Sequence, residues 1–269
     1  MPDQEMLPGE LSQKIDAEEL QHIANYYCAN KKLRRSAVVS ILWGIVNGFI
    51  AYAIMEECHF KVDDMLAGVI VAAIACYQVA SGIWLFLSPS ALGLIAEAIG
   101  LLLVGLLNFV FSLGTRDITW AIVGIVQIFN AFIDLRSYKR HRNILSIHPN
   151  GKHLEFVKNL IKKIKKQKFS QNSNAIHFQT NTKSGRHKWK GWLMDHHGIF
   201  VDVYGHHLEN KRSPEVFVAN REDVEIVKKK KSFFGKNYRI DVFIRDHIMH
   251  GSIHQKSLER YEHWKQGDY

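Results

Sequence analysis

The chain has 269 residues, 47% of them hydrophobic and 23% charged, with a formal charge of +9. That average hides three unlike stretches: residues 1–35 carry 5 Lys/Arg against 6 Asp/Glu, residues 36–135 carry 2 against 7, and residues 136–269 carry 28 against 13. A basic C-terminal half joined to an apolar middle excludes a single soluble globule, a secreted protein and a disordered chain.

Within residues 1–35, Leu11, Ile15, Leu20, Ile23 and Tyr27 fall near helical spacing. Asp16-Ala-Glu-Glu19 reads as an N-cap followed by an acidic first turn, so an amphipathic helix is expected over about residues 11–30. Its polar face is mixed and acidic, which suits packing on the C-terminal half or on another copy better than a lipid surface.

Four runs in residues 36–135 are long enough to cross a bilayer, which takes about 20 apolar residues. They are Ser36–Met55, Met65–Leu87, Ala91–Leu113 and Ile118–Leu135. Their short links predict antiparallel neighbours and an up-down four-helix transmembrane bundle. Lys31, Lys32, Arg34 and Arg35 precede the first run, and Arg136, Lys139, Arg140 and Arg142 follow the fourth. The positive-inside bias therefore places both termini in the cytoplasm of a multi-pass protein. Cys28, Cys58 and Cys76 fall on the inner side, the outer side and within the bilayer, so no intrachain disulfide is expected. Glu97 is the ionisable residue well inside a run, and its expected role is to pair with a neighbouring helix or reach interfacial water. Gly44 and Gly48 form a GxxxG pattern, a candidate for close helix packing and self-association.

Residues 136–172 form a linker. In Gly151–Phe169, Leu154, Val157, Leu160, Ile161 and Ile164 line one face, and Lys158, Lys162, Lys163, Lys165, Lys166 and Lys168 cover the other. Such a helix suits anionic headgroups, or packs its stripe on the domain that follows.

Residues 173–269 change to extended periodicity, with strands expected at about 175–180, 187–194, 199–204, 215–218, 224–230, 238–244 and 247–253, and a short helix over Ser257–Trp264. Lys228–Lys231, followed by Ser-Phe-Phe-Gly-Lys236, reads as a solvated turn between strands, with Phe233 and Phe234 as membrane-insertion candidates at its tip.

Trp189-Lys190-Gly191-Trp192 and Val201-Asp202-Val203-Tyr204 stand in strand positions of this order. The region resembles the pleckstrin-homology-like (PH-like) superfold, including the GRAM-type and bacterial PH-like families. That resemblance implies two curved sheets in a seven-stranded, partly open barrel or sandwich, capped by the C-terminal helix. Phosphoinositide-binding members concentrate basic residues in and after the first loop between strands. The resemblance thus puts forward Lys183, Arg186, Lys188 and Lys190 as anion-binding candidates, beside Lys228, Lys229, Lys230, Lys231 and Lys236 from the charge run. Strand alternation turns residues of one parity inward.

Thirteen of the fifteen histidines lie after residue 135. The spacing of His247, His250 and His254 makes them weak metal candidates, without a supporting Cys or HExxH pattern. Asp195, Asp202, Asp241 and Asp246 occur singly, where a solvent-facing role is the ordinary reading. No phosphate loop, GxSxG or Cys–His couple is present, so no catalytic residue, cofactor or nucleic-acid partner is expected. The expected function is a non-catalytic, membrane-anchored adaptor or scaffold. Its basic domain would take a protein partner, another copy, or the anionic lipids of the inner leaflet. The alternative is a small-molecule or ion transport component that uses Glu97.

Overall fold

A computed structural model describes residues 16–57, 62–115, 118–166, 174–182, 185–203, 215–231 and 236–267. The chain divides into two compact units. One comprises residues 28–148, and the other joins residues up to 27 with residues from 149 onward.

Four long helices carry the first unit: α1 (Ala17–Glu57), α2 (Val62–Leu87), α3 (Ala91–Thr115) and α4 (Ile118–Leu145). Each contains a stretch long and apolar enough to span a membrane. The amphipathic stretch and the first apolar run are one continuous helix, because Asn30–Arg35 contains neither Gly nor Pro and is mostly good helix former. Helix α4 likewise runs on through Arg136, Lys139 and Arg142.

Large apolar side chains cover the outside of this unit, among them Phe49, Leu87, Leu113, Ile118 and Phe129. Polar side chains occupy its inside: Ser40, Asn47, Gln78, Glu97, Asn108, Gln127 and Asp134 are all buried. Two amide pairs clasp the helices. Asn47 Nδ2 donates to Gln78 Oε1 (3.1 Å) between α1 and α2, and Asn108 Nδ2 donates to Gln127 Oε1 (2.8 Å) between α3 and α4. Three residues before each amide stands a small residue: Gly44, Ala75, Gly105 and Gly124. The small residue lets the backbones approach, and the amide one turn on closes the gap. Gly105 and Gly124 face each other so closely that a Cβ on Gly124 would lie 2.6 Å from the Gly105 carbonyl oxygen.

The second unit contains α5 (Gly151–Lys166), β1 (Ala175–Thr182), β2 (Gly185–Leu193), β3 (His197–Asp202), β4 (Val216–Asn220), β5 (Val224–Lys231), β6 (Asn237–Ile244), β7 (His247–His254) and α6 (Gln255–Gln266). The strands form one curled antiparallel half-barrel in the order β4-β3-β2-β1-β7-β6-β5. Among the described residues the strands make one sheet and not the two expected. β1 bonds β7 through Phe178–Ile253, Gln179–Ser252 and Thr180–Gly251 and makes the sheet continuous. Gly251 is required at that joint, since a Cβ there would stand 1.9 Å from the Gln179 carbonyl oxygen.

The inner face gathers Phe178, Trp189, Phe200, Phe217, Val242, Ile253 and the α6 residues Leu258, Tyr261 and Trp264. Phe178 stacks on Trp189 with centroids 6.1 Å apart. Hydrogen bonds fasten helix α6, among them Ser257 Oγ accepting from the His177 N–H, Trp264 Nε1 donating to the Met194 carbonyl, and the Tyr261 hydroxyl donating to the Val224 carbonyl while accepting from the Ile226 N–H. Burial pushes the Tyr261 hydroxyl up to about 12, so it stays a donor at every physiological pH.

On the other face Ile199, Val201, Val216 and Val218 are also buried. Helix α5 lies on β2 and β3 with Val157, Ile161 and Ile164 buried. The start of α1 reaches β4, with Leu20 and Ile23 fully buried. There Gln21 Nε2 donates to the Val216 carbonyl (2.9 Å), and Gln21 Oε1 accepts from the Val218 N–H (2.7 Å). One side-chain amide thus replaces the neighbouring strand that an edge strand lacks.

Two tests follow from this packing. Gln21→Ala should speed hydrogen exchange of the Val218 amide at least tenfold, the equivalent of about 1.4 kcal/mol lost locally. Gly124→Leu should destabilise the detergent-solubilised protein by about 1–3 kcal/mol in thermal unfolding. Gly48→Leu, at a position with nothing within 4 Å, should change it by less than about 0.5 kcal/mol.

Candidate functional site

The densest positive surface is built on the β5–β6 pair. Lys228–Lys231 belong to strand β5 and not to a turn, because β6 continues to pair with them: Lys228 faces Ile240, Lys230 faces Arg239 and Lys231 faces Tyr238 across a register shift at Lys229. As β5 ends the sheet, these lysines lie along an open edge. Lys229 forms an ion pair with Asp241, whose other oxygen lies 2.7 Å from His250 Nδ1. Hydrogen bonds from Lys229 and then His250 hold the Asp241 carboxyl below the usual carboxylate range. The other lysines are arranged around Tyr238: the Lys228 ammonium lies 4.4 Å and the Lys231 ammonium 5.9 Å from the ring centroid. Lys230, Lys236 and Arg239 are exposed beside them. Phe233 and Phe234 lie outside the described residues.

The β1–β2 candidates do not join this surface, since β1, β7 and β6 stand between β2 and β5 in the sheet. Lys183 and the Arg186 side chain lie outside the described residues. Lys188 is exposed, whereas Lys190 Nζ donates to the Lys165 carbonyl at 2.7 Å and so closes the last turn of α5. Burial, then the charge of Lys188, holds the Lys190 ammonium below its ordinary value. Lys163 adds a second tie, 4.9 Å from the Trp192 ring centroid. Helix α5 therefore turns its apolar stripe, the Lys163 ammonium and the Lys165 carbonyl to the sheet.

His177 sits in register with Lys190 across the β1–β2 pair. Burial, then Lys190, Lys188 and Arg260, lower its imidazole to about 4, so it is neutral at pH 7. The buried His197 is lowered too, by desolvation and then by His196.

The spaced histidines of β7 are not brought together. The His247 ring packs 4.9 Å from the Phe217 ring, His250 bonds Asp241, and the His254 side chain accepts from the Lys256 N–H at the start of α6. Among the described residues no group of three His, Cys, Asp or Glu is placed to hold a metal. Asp202 and Asp241 also depart from the solvent-facing expectation. Both are buried, and Asp202 Oδ2 lies 2.7 Å from Nδ1 of the buried His187. Cross-strand partners decide this, and single-residue spacing does not reveal them.

In the helical unit Glu97 is 1% exposed, and it meets Asp134 of α4, which stands at the end of an apolar run in the sequence. Ser36 of α1 stands between them, its Oγ 3.1 Å from Asp134 Oδ1 and 3.4 Å from Glu97 Oε1. The two carboxylates lie at equal distances from the link 114–117, the one signal in the chain that could have paired them. The two glycines of the GxxxG pattern act apart: Gly44 packs on Val79 and the Ala75 carbonyl of α2, and Gly48 faces open space beside Ile45, Phe49 and Tyr52.

The His177 environment makes stability depend on pH. Unfolded, the ring takes a proton near pH 6.5, and folded only near pH 4. Its contribution is therefore complete above pH 6.5 and lost as pH falls towards 4. The loss should be about 1–2 kcal/mol after allowing for the part of the ring in solvent. His177→Gln should remove that share of the pH dependence in urea unfolding followed at pH 7 and pH 4.5. No protein-family model matches the chain, and no curated protein is found to be similar to it.

Proposed function

We propose that the chain is an integral, multi-pass membrane protein acting as a non-catalytic adaptor, whose basic β-domain faces the cytoplasm and docks on an anionic lipid surface. The inside-out arrangement of the helical unit, apolar without and polar within, supports a bilayer as its solvent. The Lys/Arg clusters before the first apolar run and after the fourth support cytoplasmic termini. The sheet order and the C-terminal helix support the PH-like reading of the β-domain.

The observation that carries the docking surface is the lysine row at the β5 edge. Ammonium groups are donors without acceptor capacity, and Lys228, Lys230, Lys231 and Lys236 have no carboxylate partner among the described residues. A lysine near an anionic leaflet contributes about 1 kcal/mol, falling off with salt. Flexible point charges suit a fluid headgroup layer, where no fixed bidentate geometry is demanded.

The test uses the full chain in neutral-lipid nanodiscs, mixed with vesicles of neutral lipid or of neutral lipid containing one fifth phosphatidylserine. Binding to the anionic vesicles should fall at least tenfold in K228Q/K230Q/K231Q, and again between 50 and 500 mM salt. Equal binding to both vesicle types would remove the lipid reading and leave a protein partner as the adaptor's target. A second reading, a transport component, is favoured by one observation, the buried Glu97–Asp134 contact.

A further inference from the structure

The strands that separate β2 from β5 carry a line of polar side chains between them. Cross-strand register pairs Lys188 of β2 with Gln179 of β1, Gln179 with Ser252 of β7, Ser252 with Arg239 of β6, and Arg239 with Lys230 of β5. Residues directly opposite one another share a face, so these five form one rung across five adjacent strands. Their chain neighbours decide which face it is. Trp189, Phe178, Ile253 and Ile240 belong to the core under α6, so by alternation the rung stands on the outer, convex side. Lys188, Gln179, Arg239 and Lys230 are exposed, and Ser252 is half-buried. At the usual spacing of about 4.8 Å between strands, the rung is about 19 Å long.

Helix α5 lies on β2 and β3 and the start of α1 reaches β4, which leaves Gln179, Arg239 and Lys230 open to solvent. The rung carries three basic side chains, two neutral groups that both donate and accept, and no carboxylate. In the next rung Asp241 is already engaged by Lys229 and His250. This face therefore complements an anion, and its shape selects the kind. A half-barrel curves across its strands, so a flat leaflet that touches Lys230 turns away from Lys188, whereas a flexible chain laid across the strands follows the rung. Single-stranded nucleic acid stacks its bases on aromatic side chains, and the rung has none. A run of carboxylates needs cations and amide partners alone. The Arg239 guanidinium takes a carboxylate through two parallel hydrogen bonds, and the Gln179 amide matches a peptide group.

We propose that this rung binds an extended acidic segment of a partner protein, about six residues long and running across the strands. Its carboxylates meet Arg239 and Lys230 at one end and Lys188 at the other, and Gln179 and Ser252 hydrogen-bond the chain between them. The rung is distinct from the lipid-docking surface: of the lysines assigned there it uses Lys230 alone, and Lys188 and Arg239 are its own.

The test uses the full chain in neutral-lipid nanodiscs and fluorescein-labelled deca-glutamate at 50 mM salt, read by fluorescence anisotropy. The peptide should bind, and K188Q and R239Q should each weaken it about threefold, the scale of an exposed ion pair. K162Q removes an equal charge from the exposed side of α5 and should leave the affinity unchanged. The proposal is overturned if deca-glutamate does not bind, if neither rung variant weakens it, or if K162Q weakens it as much as K188Q does. A labelled deca-thymidylate that binds more tightly than the peptide and weakens in the same variants would overturn it in favour of nucleic acid. Phosphatidylserine vesicles should bind K188Q as they bind the unaltered chain, and a threefold loss there would overturn it in favour of lipid. The vesicle test of the lipid surface reads Lys228 and Lys231, which the rung does not contain, so either reading can fail alone.

Discussion

The helical unit is organised by one constraint: its outer surface is apolar, so every polar group it carries has to find a partner inside. Asn47 with Gln78 and Asn108 with Gln127 meet that demand in part, as amide pairs that leave each glutamine Nε2 without a hydrogen bond, each placed one turn from small residues that bring the helices close. Ser36 Oγ, between Glu97 and Asp134, ties α1 to α3 and α4 in the same interior. Hydrogen bonds of this kind contribute modestly between helices, about 0.6–2 kcal/mol each, and they fix register more than they add stability. The recurrence of a small residue and an amide on all four helices gives the two hairpins α1–α2 and α3–α4 the same internal plan.

The β-domain solves a different problem. A half-barrel has one concave face to fill and two edges to protect. Helix α6 fills the concave face with Leu258, Tyr261 and Trp264, and the Tyr261 hydroxyl satisfies two backbone groups at the start of β5. The opposite face is covered by α5 and the start of α1, two helices that lie far apart in sequence. Lysines serve two ends here. Lys190 is consumed in holding α5, whereas the β5 row is left facing solvent.

Strand order and limits were legible because alternation is a local signal. Ile240, Val242 and Ile244 face the core as their spacing predicts, and the last helix begins two residues ahead of the expected Ser257. Relations between elements were not. The lysine run reads as a turn on composition alone although the alternation expected over 224–230 already enters it, and pairing opposite Arg239 and Tyr238 carries the strand through to Lys231. Asp202 and Asp241 look like surface carboxylates until His187, His250 and Lys229 are brought to them by register. Asp134 marked the end of an apolar run, and its meeting with Glu97 depends on the register of two antiparallel helices. The continuity of α1 is hidden for a simpler reason: the pattern changes from amphipathic to apolar near residue 35, although no residue there breaks a helix.

The two edges of the half-barrel differ: a glutamine amide covers part of β4, and β5 ends the sheet as a lysine-rich, bulged strand. Neither edge offers a neighbour a clean row of backbone partners. Copies of this domain confined to a two-dimensional surface would reach high local concentration, the condition under which open sheets polymerise by strand exchange. Crowding without fibre formation is therefore written into the two ends of the sheet, and Gln21 contributes to it from a helix outside the β-strands altogether.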